Sequence, residues 1–408
     1  MVNEAWIIDG ARTPRAKGKP GGGLHDIHPQ ELLAQVLNGL VERAGIDPAA
    51  VEDVIMGNGN PDGDHANVIA RLAVLAAGWP EQIPGVVLNR FCGSGQQAIM
   101  FAAMGIAAGW QDLVVAGGVE SMSRYPGGIT TPTAAGNDRL LDLYPLVPQG
   151  ISADLIATRE KFTRSELDAF AVRSQDRASA AMENGAFDRS ILPVKDATGQ
   201  VVLDRDEHPR PGTTVASLAK LKPAFVALGA EVQPEGRSYD ERCAVVYPEV
   251  TGIDHVHHAG NSSGVVDAAA AMVLASPAYA RAHGLRPRAR VVAGTVAAAD
   301  PVIMLTAPGP ASEACLAKAG MSVADIDLWE INEAFAAVPM KVMRDLKIDE
   351  SRVNVNGGAI ALGHPIGATG AVLFQTVLDE LERRDQTIGL ITMCTGGGMG
   401  TATIIERV

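Results

Sequence analysis

Cys92 stands where a thiol could act as a nucleophile. An apolar run of strand length, residues 85–89, precedes it, and a stretch of helical periodicity, residues 96–104, follows it. Gly93 and Gly95 remove side chains from around the sulfur. We expect the N–H groups of the first helical turn to stabilise a thiolate here. Because a lone cysteine is more often a buried structural residue, the junction alone predicts either a nucleophile or a core thiol.

Three further positions carry groups that would complement a nucleophilic thiol. His364 lies in a tract of glycine and alanine and could serve as a base, and Asn332 offers an amide donor. Cys394 is a second thiol for acid/base work, and it precedes the three glycines 396–398, whose N–H groups could bind an oxyanion. A lone histidine is more often structural, and a glycine triplet is often only a turn. The four positions gain meaning only if the fold brings them together.

The remaining cysteines and histidines suggest neither a metal site nor disulfides. Cys315 lies in a helical run that ends at Gly320, which predicts a core position, and Cys243 is assigned no role. No close CxxC pair is present. The histidines of residues 255–258 lack carboxylate or cysteine neighbours at metal-ligand spacing, so we predict a solvated strand end and no metal.

One order of elements occurs twice, and the two copies are 320 − 45 = 275 residues apart. Gly45 and Gly320 each end a predicted helix that leads through an acidic turn into a strand. A glycine-rich strand-to-helix junction follows in each copy, first around Cys92 and then at residues 354–370. Each copy has one more strand that ends in glycines, namely residues 112–118 and 388–398. We predict two homologous halves whose strand ends face a shared site.

Strand-like runs alternate with alanine-rich helical stretches, which predicts an α/β fold with mostly parallel sheets. The amino-acid composition changes between the halves, where the chain is rich in proline, glycine and charged residues. One clear helix occurs there, residues 164–178, with a capping box formed by Thr163 and Glu166. The predicted domains are a first half (1–119 with 259–284), a loop domain that covers a ligand site (120–258) and a second half (285–408).

Composition limits the classes of protein. The 408 residues are 47% hydrophobic and 20% charged, which suits a large core divided over two or three domains. The net charge of −13 argues against nucleic acid as a partner but leaves room for an anionic coenzyme. No apolar run reaches about 18 residues, so no membrane span is expected. No signal peptide is visible either, and we predict a cytoplasmic setting.

In their order, these motifs resemble those of the thiolases, the family of acetyl-CoA acetyltransferases and 3-ketoacyl-CoA thiolases. They are RTP (12–14), NRFCGSG (89–95), GGVESMS (117–123), LAKLKPAF (218–225), AGNSSG (259–264), NEAF (332–335), GGAIALGHPIG (357–367) and CTGGG (394–398). The resemblance runs from about residue 5 to residue 406. It implies duplicated α/β halves in five layers, α-β-α-β-α, with an inserted loop domain.

The resemblance also implies a reaction, the cleavage of a 3-ketoacyl-CoA by CoA to acetyl-CoA and a shortened acyl-CoA, or the reverse Claisen condensation. Cys92 would become acylated, His364 would take its proton and bond the thioester oxygen, and Cys394 would protonate the departing carbanion. Asn332 would hold a water at one oxyanion site. The N–H groups of Cys92 and Gly396 would form the other. Transfer through acyl-Cys92 implies ping-pong kinetics.

Coenzyme A would be a co-substrate, with no permanently bound cofactor. By the same resemblance, the pantetheine and adenine sites would be lined by Ser217, Ala224, Phe225, Ala259 and Ser263. The family suggests homodimers or homotetramers that meet at the sheet edge of the first half. Two alternatives are a ketoacyl-synthase-type condensing enzyme, which lacks the second cysteine, and a non-catalytic acyl-CoA or lipid-binding relative. The presence of all four site residues disfavours the latter.

Three departures from the family pattern leave the acyl group open. Residues 148–150 are Pro-Gln-Gly where many thiolases have His-Met-Gly at the acyl end of the substrate. Extra sequence fills residues 226–257, near the expected CoA mouth. Residues 304–310 depart from the usual Met-Gly-x-Gly-Pro. The sequence therefore predicts the reaction class but not the substrate.

Overall fold

A large mixed sheet runs through the molecule. The computed structural model describes residues 4–125 and 137–408, so residues 1–3 of the predicted first half and 126–136 of the predicted loop domain lie outside the described residues. The strands are β1 Trp6–Arg12, β2 Ala16–Lys17, β3 Asp53–Gly57, β4 Gly85–Leu88, β5 Leu113–Ser121, β6 Val194–Lys195, β7 Val201–Leu203, β8 Val266–Ala275, β9 Ala289–Ala298, β10 Leu328–Ile331, β11 Ile388–Thr395 and β12 Met399–Arg407.

The helices occupy both faces of this sheet and the region between β5 and β8. They are α1 Pro29–Ala44, α2 Ile69–Ala76, α3 Ser94–Ala107, α4 Asp138–Leu143, α5 Gln149–Glu160, α6 Arg164–Glu183, α7 Val215–Leu218, α8 Val226–Gly229, α9 Tyr239–Val246, α10 Pro277–Ala282, α11 Pro308–Ala319, α12 Ala337–Leu346, α13 Ala359–Leu362 and α14 Thr369–Arg383. Within the described ranges, none of them has the length and apolar character needed to cross a bilayer.

The strand order is β10-β11-β12-β9-β1-β8-β5-β3-β4. The two halves join where β1 pairs with β9 over Trp6↔Arg290 and Ile7↔Ala289. The expectation of mostly parallel sheets was wrong: among the strands of residues 4–125 and 137–408, only β3–β4, β3–β5 and β10–β11 pair in parallel. The physical reason is that the last strand of each half, β8 or β12, runs antiparallel to the strand beside it, β5 or β11. Strand β12 reverses direction through a short glycine turn, which suffices for an antiparallel pair.

The duplication is confirmed by the element positions. Strand β3 begins at 53 and β10 at 328, helix α3 at 94 and α14 at 369, and β5 at 113 and β11 at 388, so each pair differs by 275. Gly45 and Gly320 end α1 and α11 in the left-handed conformation, with φ of 65° and 66°. Glycine adopts that conformation without a steric penalty, which explains why both helices stop there.

The apolar cores define five layers. Helices α1 and α2 pack on the outer face of the first-half strands, and α11 and α12 pack on the outer face of the second-half strands. Helices α3 and α14 lie between the two sets of strands, with Ile99 and Phe374 in one shared core. The predicted α-β-α-β-α arrangement is therefore confirmed. It places the N-termini of α3 and α14 next to each other in the centre.

The inserted region has its own core, which continues into the second half. Ile151, Phe170 and Cys243 pack in one cluster with Leu305 and Cys394. The predicted helix is α6, with both bonds of its capping box formed. The domain limits 1–119 with 259–284, 120–258 and 285–408 stay a prediction. The contacts do place the insertion over the strand end that carries Cys394.

The histidines near the end of the insertion are not a solvated strand end, and that prediction was wrong. His257 and His258 are buried. His257 Nδ1 lies 2.7 Å from Asp154 Oδ1, and His258 Nε2 lies 2.8 Å from Asp168 Oδ1. Both carboxylates come from helices about 90–100 positions earlier, a distance at which spacing in the sequence is uninformative. In residues 4–125 and 137–408, no three histidine, cysteine, aspartate or glutamate side chains are grouped to hold a metal ion.

Candidate active site

A cavity of about 500 Å³ lies where the two halves and the insertion meet. Cys92, His364 and Cys394 all line it. Its other lining residues include Asn60, Asn89, Phe91, Met122, Tyr125, Gln149, Phe225, Ser263, Leu305 and Phe335. Three of the five predicted catalytic residues therefore face one space, although they are separated by up to 302 positions in the chain (394 − 92).

A strained turn presents Cys92 to this cavity. It lies between β4 and α3, and Phe91 before it has φ of 46°, in the left-handed region that a bulky side chain rarely adopts. Three side-chain bonds hold the turn. The Ser94 hydroxyl donates to the Phe91 carbonyl at 2.6 Å and accepts from the Arg90 N–H at 2.9 Å. The side-chain oxygen of Asn89, Oδ1, accepts a hydrogen bond from the Phe91 N–H at 2.7 Å.

The glycines around Cys92 serve the contact between the halves. A Cβ on Gly93 would lie 2.7 Å from Thr395 Cγ2, and one on Gly95 would lie 2.6 Å from the Gly367 carbonyl. A Cβ on Gly370 would lie 2.0 Å from the backbone nitrogen of Gln96. Such distances exclude a side chain. These glycines let α3 and α14 approach closely, and that approach brings His364 and Cys394 towards Cys92.

Burial governs the state of the Cys92 thiol. It raises the pKa of Cys92 to about 12, and the charge of Glu120 adds to the increase. Bonds from the N–H groups of Cys92 and Gly396 lower the pKa only in part. The prediction of a thiolate stabilised by the helix terminus was therefore wrong for the free protein, because loss of hydration outweighs the helix terminus. The N–H groups of Cys92 and Gly396, which were predicted to form an oxyanion site, both lower the pKa of this thiol.

His364 is held as a neutral base. Its Nδ1 lies 2.5 Å from the Thr369 hydroxyl, which itself donates to the Pro365 carbonyl at 2.9 Å. Because the single hydroxyl proton is used there, Nδ1 must carry the ring proton and Nε2 keeps its lone pair. Burial lowers the pKa of His364 to about 4, so the ring is neutral near pH 7. A neutral imidazole with a free Nε2 can accept a proton.

Asn332 lies beside the imidazole rather than on the main cavity wall. It follows β10 directly, and its N–H donates to the Thr392 carbonyl at 3.0 Å. Its Nδ2 is 3.4 Å from His364 Nε2. Asn332 is buried, and its Oδ1 has no hydrogen-bond partner among the described residues. The amide therefore faces the histidine with its donor end.

Cys394 lies one residue before the end of β11 and is buried next to Cys92. Burial raises the pKa of Cys394, and the neighbouring Cys92 raises it further. Gly397 and Gly398 have φ of 78° and 79° and form the turn into β12. Of the glycine triplet, Gly396 is the residue whose N–H lowers the pKa of Cys92. The other two glycines build the hairpin, which was the plainer alternative for this motif.

The residues predicted to contact CoA separate into two groups. Phe225 and Ser263 line the cavity. Ser217, Ala224 and Ala259 are exposed and do not line it. The Ser217 hydroxyl donates to the Thr214 carbonyl at 2.7 Å, within the capping box of α7. Phe225 packs edge-on against Phe335, which joins the insertion to the second half at the cavity wall.

Glu120 is a residue to which the sequence assigned no role. It is buried at the end of β5 and accepts hydrogen bonds from the N–H groups of Gly59 and Gly367, each at 2.7 Å. The Asn58 amide at 2.9 Å and the Tyr125 hydroxyl donate to its other oxygen. Glu120 thereby ties the loop that carries His364 to the first half. The signal in the sequence that could have identified Glu120 is a carboxylate inside an otherwise apolar strand.

Comparisons with known proteins agree with this geometry. The thiolase N-terminal domain model matches residues 5–233, and the thiolase C-terminal domain model matches residues 285–407. The chain is 43% identical to the steroid 3-ketoacyl-CoA thiolase FadA6 of Mycobacterium tuberculosis, over 100% of this chain and 95% of that protein. It is 41% identical to a beta-ketoadipyl-CoA thiolase of Pseudomonas aeruginosa, over the full length of both.

A solved structure leads to the same family. The crystal structure of the Bacillus anthracis acetyl-CoA acetyltransferase superposes with a TM-score of 0.85 at 38% identity, and the match covers 100% of this chain and 99% of that one. Neither the ketoacyl-synthase alternative nor the non-catalytic alternative is favoured by these matches. The chain belongs to the thiolase family of CoA-dependent acyltransferases.

Proposed function

We propose that this thiolase carries the acyl group on Cys92 and moves protons with His364 and Cys394. The observation that carries the proposal is that these three side chains line one cavity, with a neutral imidazole whose Nε2 is free to accept a proton. Because the pKa of Cys92 is raised to about 12, the thiol has to lose its proton as it attacks.

In the first half-reaction the Cys92 sulfur attacks the ketone carbon of a 3-ketoacyl-CoA, and His364 Nε2 takes the thiol proton. The bond between the α- and β-carbons then breaks, and its electron pair goes to the departing enolate. The Cys394 thiol gives its proton to that carbanion, and acetyl-CoA leaves. The site then holds acyl-Cys92, the imidazolium of His364 and the thiolate of Cys394.

In the second half-reaction CoA restores the free enzyme. The Cys394 thiolate takes the proton of the CoA thiol, and the CoA sulfur attacks the acyl-Cys92 thioester. The Cys92 sulfur leaves and regains its proton from the imidazolium of His364. Acyl-CoA is the second product, and every proton has returned to its first position. No permanently bound cofactor enters either step.

Two donor sets would stabilise the oxyanions. The N–H groups of Cys92 and Gly396 both lower the pKa of the Cys92 thiol, which supports their use for the oxygen of the tetrahedral intermediate formed there. Asn332 with a bound water would serve the enolate oxygen of acetyl-CoA. Its position 3.4 Å from His364 Nε2 supports this role, because the thioester oxygen then has donors on the base side of the cavity. An enolate needs such donors, since a thiolate alone is too weak a base to form it.

For CoA we propose the cavity mouth at Phe225 and Ser263, with Ser217, Ala224 and Ala259 on the exposed surface along which the nucleotide would lie. Residues 120–258 would act as the loop domain that covers this site. Coenzyme A and acyl-CoA are then the partners, and we propose no nucleic-acid or membrane partner.

A homodimer or homotetramer would form through the first-half sheet edge. Strand β4 ends the sheet there. Val86 on that strand, and Phe101 and Met104 on α3, are 44–49% exposed in the single chain. Sedimentation equilibrium measures the assembly directly, and a monomer at micromolar concentration would contradict this proposal. A cytoplasmic setting stays a prediction from the sequence.

The acyl group is the open part of the proposal. The relatives include thiolases named for steroid, beta-ketoadipyl and acetyl substrates. Among the described lining residues, the side chains of Asn60, Asn89 and Gln149 are uncharged amides, and Met122 and Leu305 are apolar. This lining supports an uncharged acyl group.

A thiolysis panel tests both the activity and this preference. Acetoacetyl-CoA, longer linear 3-ketoacyl-CoAs, 3-ketoadipyl-CoA and a ring-bearing 3-ketoacyl-CoA would be compared by kcat/KM. We expect uncharged substrates to be cleaved faster than 3-ketoadipyl-CoA. A faster rate with the carboxylate substrate would overturn the preference, and cleavage of none of them would overturn the proposed function.

A further inference from the structure

A second, much smaller cavity lies behind the catalytic histidine. Its volume is about 10 Å³, close to the space that one water molecule occupies. Glu330, Asn332, Thr369 and Arg15 contribute polar side chains to its lining. Two of these, Asn332 and Thr369, also contact His364. The cavity therefore adjoins His364 through two residues that do not line the main cavity.

Two buried polar groups at this cavity lack partners. Asn332 Oδ1 has no hydrogen-bond partner among the described residues, and the Glu330 carboxyl makes no hydrogen bond to any of them. Glu333, three positions on, differs sharply: it accepts from Ser174 Oγ at 2.6 Å, from Asn354 Nδ2 at 2.9 Å and from the Ile360 N–H at 3.2 Å. Buried polar groups are nearly always paired, so the two unpaired groups at one cavity call for a common partner.

The charges around Glu330 influence the protonation state of its carboxyl. The carboxylates of Glu333 and Glu380 lie nearby, and the two cations that face it are Arg15 and Arg177. Arg15 is committed to Asp206, with Nη2 2.9 Å from Oδ2. Burial and the two carboxylates raise the pKa of Glu330 well above its usual range, which favours the neutral carboxyl with its O–H donor.

We propose that Glu330 is a positioning residue that orients the Asn332 amide through one water held in this cavity. The Glu330 O–H donates to the water, and the water donates to Asn332 Oδ1. The amide is then fixed with Nδ2 towards the Nε2 lone pair of His364. The opposite orientation would place Oδ1 against that lone pair and would turn the donor away from the thioester oxygen. The inference rests on the proposed role of Asn332.

The test is a double-mutant cycle on acetoacetyl-CoA thiolysis. Glu330→Leu removes the donor, and we expect kcat to fall about tenfold with KM within about twofold, because an existing donor is misaligned rather than removed. Glu330→Gln keeps an N–H donor and should stay within about threefold of wild type. In an Asn332→Ala background, Glu330→Leu should cause no further loss. A merely structural role would lower kcat equally in both backgrounds and would overturn the proposal.

Glu333→Gln is the matched control, since it changes a second buried carboxyl, three positions on, that is hydrogen-bonded to other groups. Its effect on kcat should be the same with and without Asn332. If Glu330→Leu does not fold, the infrared difference spectrum of wild type minus Glu330→Gln replaces it. A neutral-carboxyl C=O band is expected there, and its absence would overturn the proposal. If the wild-type protein cleaves no 3-ketoacyl-CoA, the proposed function is overturned instead. The infrared result would still show whether the Glu330 carboxyl is protonated.

Discussion

The two strand-to-helix junctions share a backbone plan and differ in the chemistry they carry. Cys92 in the first corresponds to Gly367 in the second (92 + 275), and His364 corresponds to Asn89 (364 − 275). Each junction thus has its reactive side chain where the other has a glycine or an amide. In the proposed mechanism, the first half gives the nucleophile and the second gives the base. A duplicated frame places both at one cavity because the N-termini of α3 and α14 meet in the central layer.

The strand ends differ in the same way. Cys394 lies one residue before the end of β11, and its counterpart in β5 is Val119 (394 − 275). The next residue in the first half is Glu120, whose carboxylate binds the N–H of Gly367 in the other half. In the proposed mechanism, one strand end therefore supplies a thiol for proton transfer, and the other holds the loop that carries His364 in place.

The largest expected effect comes from removing the nucleophile of the first junction. Cys92→Ser should lower kcat for thiolysis by at least about 10³-fold, because a hydroxyl is a far poorer nucleophile at the same position. Cys315→Ser is the matched control: this thiol is buried between α11 and β9, with Sγ 3.6 Å from the Ala293 carbonyl, and touches no site residue. We expect Cys315→Ser to change the melting temperature rather than kcat. Full thiolysis by the Cys92→Ser protein would reject the assignment.

A smaller effect on kcat is expected from removing the hydroxyl that contacts His364 in the second junction. Ser94 in the first half and Thr369 in the second occupy equivalent positions (94 + 275), but only the Thr369 hydroxyl contacts a reacting group, His364 Nδ1. Thr369→Val should lower kcat about tenfold, since the ring loses the partner that fixes its tautomer. Thr369→Ser keeps the hydroxyl and should retain most activity. Equal kcat for the valine and serine variants would show that the hydroxyl does not position His364.

The mildest test uses the pH dependence of alkylation, with no mutation. A pKa of about 12 means that the Cys92 thiol is protonated throughout the neutral range, and its thiolate fraction rises about tenfold per pH unit. Iodoacetamide labelling of Cys92, followed by peptide mass spectrometry, should therefore accelerate about 100-fold from pH 7 to pH 9. Cys315 should react much more slowly because it is inaccessible. A rate for Cys92 that levels off below pH 8 would mean that the thiolate exists at neutral pH.

Much of the fold followed from spacing in the sequence. The constant offset of 275 predicted the duplication, the helix caps at Gly45 and Gly320, and the shared cavity for Cys92, His364 and Cys394. These features depend on local glycine and helix signals that recur in order. The antiparallel pairing of β8 did not follow, because its direction depends on where the chain returns after a long insertion. The pairing of β12 was missed because the glycine triplet before it was also interpreted as an oxyanion site.

The groups that the sequence missed are set by distant partners. Glu120 contacts Gly367, 247 positions away, and His257 pairs with Asp154, 103 positions away, so no local pattern announces either role. The raised pKa of Cys92 was missed for a related reason. A helix terminus is visible in the sequence, whereas burial of the sulfur between two halves is visible only in the fold.

The central claim is that the first half carries the acyl group on Cys92 while the second half moves protons. The most direct measurement is mass spectrometry of the Cys394→Ala protein after incubation with acetyl-CoA in the absence of free CoA. Slow acylation should still occur, because His364 remains to take the thiol proton. We predict that the peptide containing Cys92 gains the mass of one acetyl group, and that the peptides with Cys243 and Cys315 do not. An unmodified Cys92, or an acetyl group on another cysteine, would contradict the account.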